Sequence, residues 1–181
     1  YINLTGSGVQ LKIDEDTTVD TEKTHSEETV SYLVLGGQGT LLASVPLVDI
    51  GEIGQISDLT NVPQIVPLLG EYTNPVVFAQ SASGNGGQPV AVRIRNVQAT
   101  QFEIYLTEPS DQDGTHGAET VSYLVLEAGT HQLHDGKLLE VGTVTTNATV
   151  GTNISPVWET VNFATTFNSS PVVLSQIQTA S

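Results

Sequence analysis

Thr115-His116-Gly117-Ala118-Glu119-Thr120-Val121-Ser122-Tyr123-Leu124-Val125-Leu126 decides how this chain is read. Thr120 to Leu126 is rich in β-branched and aromatic residues, which predicts a strand. The same stretch occurs earlier as Thr24-His25-Ser26-Glu27-Glu28-Thr29-Val30-Ser31-Tyr32-Leu33-Val34-Leu35, identical at ten of twelve positions at an offset of 91. The match continues outward: Leu11 and Ile13 fall on Phe102 and Ile104. Glu52-Ile53-Gly54-Gln55-Ile56 aligns with Glu140-Val141-Gly142-Thr143-Val144, and Asn74 to Gln80 aligns with Ser170 to Gln176. A period of about 90 to 96 residues is the size of a domain and not of a solenoid turn.

The repeat is out of phase with the chain. Residues 1–50 read as the late half of a repeat, 51–140 as a complete one and 141–181 as an early half. Either the two halves complete each other within one chain, or each is completed by a neighbouring molecule through head-to-tail strand exchange. A half left alone would keep open edges and an exposed apolar face.

Within the repeat, strand signals dominate. Val90, Val92 and Ile94 alternate with Ala91, Arg93 and Arg95, and Phe102, Ile104 and Leu106 face one way along 101–106. Turn signals at Gly84 to Gly87, Asp113-Gly114 and Asp135-Gly136 separate the runs. The expected fold is all-β: an antiparallel β-sandwich present as two tandem copies, one complete and one split between the chain ends.

The 181 residues carry 20 acidic against 5 basic side chains, a formal net charge of −15. That balance argues against nucleic acid, whose phosphates need clustered cations, and against an anionic membrane surface. No run approaches the length of a membrane span. With 38% hydrophobic residues the chain has material for a core and is not an acidic tail. The absence of Cys excludes a disulfide framework and thiol chemistry, and the absence of Met at position 1 suggests a processed chain or a piece of a longer one.

The order of motifs resembles the H-type lectin domain. The stretches that carry the likeness are Phe163 to Val173, Asn74 to Val77, Val90 to Val97, Gln101 to Ile104 and Val121 to Val125. The resemblance implies a compact β-sandwich and carbohydrate binding at a site formed partly by subunit contacts. One departure bears on the site: the Trp of the family's last strand is replaced by Tyr123, and by Tyr32 in the other copy. The longer form around His-x-x-Glu looks more like sandwich modules strung along large secreted or surface bacterial proteins.

Candidate ligand-binding residues are the spaced pairs His25 with Glu28 and His116 with Glu119, together with Trp158, Tyr123 and Tyr32. Imidazole and carboxylate converging from a loop suit a divalent cation or a glycan, whereas the plainer reading is a hydrogen bond that pins the loop to the sheet. Trp158 alternates onto a polar face with Thr160 and Asn162, which favours a surface stacking role. Candidate metal ligands are Asp14, Asp16, Asp20 and Glu22 in an acidic run, and Asp111 and Asp113 in the second copy. Calcium is the cofactor such oxygens suit, against the plainer reading of a solvated acidic surface. No Gly-x-Ser-x-Gly elbow or phosphate-cradling loop is present, so no enzyme is expected. The sequence thus points to a structural or adhesive module of an extracellular or cell-surface protein or filament that self-associates. The alternative is a carbohydrate-binding module.

Overall fold

The computed structural model describes residues 2–5, 8–10, 39–44, 47–133, 135–146, 158 and 160–178. Eleven strands are formed among them and no helix. They are β1 (Ile2–Thr5), β2 (Gly8–Gln10), β3 (Gly39–Ser44), β4 (Leu47–Leu59), β5 (Gln64–Pro67) and β6 (Pro75–Ser81). Then come β7 (Ala91–Gln98), β8 (Gln101–Thr107), β9 (Glu119–Glu127), β10 (Gly129–Gln132) and β11 (Leu138–Val141).

Two antiparallel sheets face each other, in the orders β3-β4-β9-β6 and β5-β8-β7. Their inner faces follow from the period-two pattern of the sequence. β8 alternates buried and half-buried along its length, and Phe102, Ile104 and Leu106 are buried together as expected. They pack with Ile94 of β7 against Leu59, Val77, Ala79, Val121 and Val125 of the four-stranded sheet. The fold is therefore the antiparallel β-sandwich that the alternation predicts.

The decisive stretch forms β9, an inner strand flanked by β4 on one side and β6 on the other. Its residues can be apolar on both faces because both faces are covered. Val121 and Val125 enter the main core, while Leu124 and Leu126 join Ile50, Val76, Phe78, Leu139 and Val141 in a second cluster. That cluster seats the β10–β11 hairpin, with Leu139 and Val141 as its apolar face.

β4 spans thirteen residues and has two partners: its start pairs with β3 and its end with β9. The expected boundary at residue 51 thus falls inside β4, and β3 from the preceding stretch belongs to the same sheet. Among the described residues two non-glycines have positive φ, Asp58 (57°) and Asn96 (50°), and both sit at register breaks, in β4 and β7. Both are residue types that tolerate the left-handed region, where a bulge adds one residue to a strand. The stretches 142–144 and 171–176 align with parts of β4 and β6 yet form no strand. Pairing, not local propensity, makes a strand: β4 and β6 are strands because β9 lies between them.

Candidate functional site

His116 and Glu119 are brought together, and the result is a buried structural knot. His116 Nε2 lies 3.1 Å from Glu119 Oε1, and its Nδ1 lies 3.0 Å from Glu108 Oε1. All three side chains are almost fully excluded from solvent. A neutral imidazole has one N–H, so its tautomer sets which of the two glutamates it donates to. Glu119 Oε1 also accepts the backbone N–H groups of Asn85 (2.7 Å) and Gly86 (2.9 Å), and its Oε2 accepts the Ser83 hydroxyl. Burial alone would raise the Glu119 carboxyl, but the bonds from Ser83, Gly86, His116 and Asn85 outweigh it and hold the group below the ordinary glutamate value. The ring packs so closely on Gly86 that a Cβ there would collide with it. The arrangement pins the 83–86 loop to the start of β9.

Three further glutamates clamp loops through backbone N–H groups. Glu52 of β4 is fully buried, and its Oε2 accepts from Leu69 N (2.8 Å), Gly70 N (3.4 Å) and the Tyr72 hydroxyl (3.2 Å). Glu127 accepts from Thr73 N and Asn74 N, both at 2.8 Å. Glu140 of β11 accepts from Ala164 N (2.8 Å) and Thr165 N (3.0 Å). Such charge-assisted bonds are about twice as strong as neutral ones.

Glu52 and Glu140 occupy equivalent places. Thr40 faces Glu52 and Gly39 faces Ile53 in one hairpin; Thr130 faces Glu140 and Gly129 faces Val141 in the other. Gly39 and Gly129 both have positive φ, 113° and 140°. Each glutamate then holds the loop that leads to a Pro-Val-Val stretch, Pro75 to Val77 or Pro171 to Val173. The alignment of Glu52 with Glu140 is the signal in the sequence; the clamp itself was not legible.

Beyond the two clamps the Pro-Val-Val stretches differ sharply in burial. Val76 and Val77 are 5% and 0% exposed in β6, whereas Val172 and Val173 are 87% and 64% exposed. Val161, Phe163, Leu174 and Ile177 are exposed as well. The end of this second stretch touches the sandwich: the Gln178 side chain accepts from Val77 N (2.9 Å) and donates to Pro75 O (3.4 Å). A cleft of about 250 Å³ opens there, lined by Asn74, Pro75, Gln98, Ala128, Thr143 and Gln178 among others. The exposed apolar stretch is the strongest candidate for an interaction surface.

The other candidates lie apart. Tyr123 is half-buried against the core, edge-on to Phe102 with centroids 5.5 Å apart. Its hydroxyl lies over Gly54, and burial and then the Glu52 charge raise its ionisation above the ordinary tyrosine value. Trp158 is 86% exposed. Asp111 and Asp113 are exposed in the β8–β9 loop, where Asp113 accepts from Thr115 N (2.8 Å). Among the described residues no group of three or more His, Cys, Asp or Glu side chains is placed to hold a metal ion. His25, Glu28, Tyr32, Asp14, Asp16, Asp20 and Glu22 lie outside the described residues.

Against known proteins, the chain is 39% identical over 122 residues to Halomucin of Haloquadratum walsbyi. The match covers 63% of this chain and 1% of Halomucin, so the chain corresponds to a small segment of a far longer protein. No protein-family model matches the chain, which leaves the likeness to H-type lectins resting on its short motifs. No solved structure matches it either. No helix among the described residues is long and apolar enough to cross a membrane.

Proposed function

We propose that the chain is a non-catalytic structural and adhesive repeat module of an extracellular or cell-surface protein, joined to its neighbours by head-to-tail strand complementation. The observation that carries this reading is the recurrence of the β3–β4 hairpin and its Glu52 clamp as the β10–β11 hairpin and its Glu140 clamp. A second unit begins where the first ends. The similarity to a short segment of Halomucin, a large surface protein, is compatible with a module strung among many others. The buried His116 knot fits the same reading, because its groups are spent on holding a loop. The reading involves no nucleic acid, no membrane insertion and no cofactor. The acidic run from Asp14 is where calcium would be sought.

Light scattering on the full chain tests the proposal. The mass should rise with concentration, and a variant lacking residues 1–38 should stay monomeric. The cut stops at 38 because β3 belongs to the sheet of the sandwich. A full chain that stays monomeric at every concentration, or a truncated chain that still assembles, contradicts it.

A carbohydrate-binding role is favoured by one observation, the 86% exposure of Trp158, since an exposed indole suits stacking on a sugar ring. Glycan binding that disappears in Trp158→Ala supports it; no glycan bound on an array rejects it.

A further inference from the structure

Asn85-Gly86 is the single Asn-Gly dipeptide in the sequence, and the Glu119 knot closes directly onto it. Such a dipeptide is chemically labile. A base takes the proton of the glycine N–H, the nitrogen attacks Cγ of the asparagine, and ammonia leaves as a succinimide ring closes. Water then opens the ring to aspartate or isoaspartate. Glycine favours the closure because it has no Cβ to hinder the approach and its backbone turns freely. We infer that Asn85-Gly86 is a self-modification site under a latch: Glu119 holds succinimide formation off while the 83–86 loop is closed, and the reaction makes a lasting opening irreversible.

The nucleophile is occupied. Gly86 N donates to Glu119 Oε1 at 2.9 Å, and Asn85 N donates to the same oxygen at 2.7 Å. Removing the Gly86 proton would set an anion beside that carboxylate, and a like charge so close disfavours the ionised form. The electrophile is occupied as well. Asn85 Nδ2 donates to Ala118 O at 2.8 Å, which ties the side chain to the entry of β9. Ring closure uses up the Gly86 N–H and the Asn85 Nδ2 group, so it breaks both ties.

The lability is built in by packing. A Cβ on Gly86 would stand 2.3 Å from His116 Cε1 and 2.4 Å from its Nε2, so the buried imidazole demands glycine at this position. The residue before it is an exposed asparagine whose amide serves Ala118. The product cannot rebuild the latch. Aspartate or isoaspartate at 85 has no Nδ2 hydrogen for Ala118 O and brings a second carboxylate towards Glu119. Isoaspartate also lengthens the backbone between the two N–H groups that converge on Glu119 Oε1.

The test follows deamidation at Asn85 in the full chain at mildly alkaline pH, by peptide mass spectrometry and isoaspartate content. A synthetic peptide spanning residues 80–90 gives the unlatched rate. A loop that is open less than about a tenth of the time should make the folded chain at least about tenfold slower than the peptide. Glu119→Gln, which removes the charge beside Gly86 N, should react faster than wild type. Phe102→Ala weakens the core and leaves the latch intact, so it should stay near the wild-type rate under conditions where circular dichroism shows both variants folded. A wild-type rate equal to that of the peptide overturns the inference. So does equal acceleration in the two variants, since protection would then belong to the sandwich as a whole. As a second arm, Asn85→Asp mimics one product without any waiting time. It should strip the Gly86 amide of its protection against hydrogen exchange; protection equal to wild type overturns the latch.

Discussion

Replacing Glu119 with alanine removes the acceptor on which the 83–86 loop converges. Two backbone N–H groups, at Asn85 and Gly86, and the Ser83 hydroxyl lose their partner, and His116 keeps only Glu108. An orphaned buried donor costs about 1–3 kcal/mol, and several donors lose Glu119 at once. These overlap, because water reaches part of the loop once it loosens, so the expected loss is about 4 kcal/mol. For a domain of roughly 100 residues that lowers Tm by about 16–30 °C. Urea denaturation followed by circular dichroism at neutral pH measures it directly. Glu119→Gln keeps one acceptor oxygen and should lose less. The pH dependence has a fixed sign. The Glu119 carboxyl is held below its ordinary value when folded, so its stabilisation is complete above the unfolded value and fades as pH falls through the folded one. Wild type should therefore lose stability faster than Glu119→Gln between about pH 5 and pH 3. A loss below about 1 kcal/mol for Glu119→Ala would refute the idea that the knot holds the loop.

Other expectations rest on the same structure. Glu52→Ala should cost about 3 kcal/mol, since it removes a fully buried side chain and the acceptor that holds Leu69 N and Gly70 N, whereas Glu140→Ala should leave the melting of the sandwich within about 1 °C. Phe102→Ala should cost about 3–5 kcal/mol by opening a cavity between the sheets, measured by the urea midpoint. With a net charge of −15, raising NaCl from about 0.1 to 1 M shortens the screening length from about 10 to 3 Å and should raise Tm; a fall would contradict self-repulsion. Millimolar calcium in place of a chelator should leave Tm unchanged, and a clear rise would assign a cation site to the acidic residues.

The sandwich was legible because burial there repeats every second residue: Phe102, Ile104 and Leu106 announce one inner face without reference to anything distant. The recurrence of the Thr-Val-Ser-Tyr-Leu-Val-Leu stretch likewise marked β9, although nothing local says that it lies between two partners. The glutamate clamps were not legible, because Glu52 meets Leu69 and Glu127 meets Thr73 only after the sheets are assembled. The same holds for Gln178 on the edge of β6, about a hundred residues from its partners. The boundary expected at 51 came from the alignment of Glu52 with Glu140. The strand extends back to Leu47 because its start has a second partner in β3, which sequence identity to another copy does not reveal. His116 and Glu119 were found as a pair, but their burial depended on Glu108 and Gly86, which carry no distinctive spacing.

The central claim is that modules of this kind join their neighbours by head-to-tail strand complementation. Amide hydrogen exchange on the full chain at high concentration tests it most directly. The account predicts that residues 142–144 and 172–176 are protected to the degree of Val76 to Gln80 in β6, and that dilution or removal of residues 1–38 erases that protection. Exchange of 142–144 and 172–176 at the rate of an open chain, under conditions where β6 is protected, would contradict it.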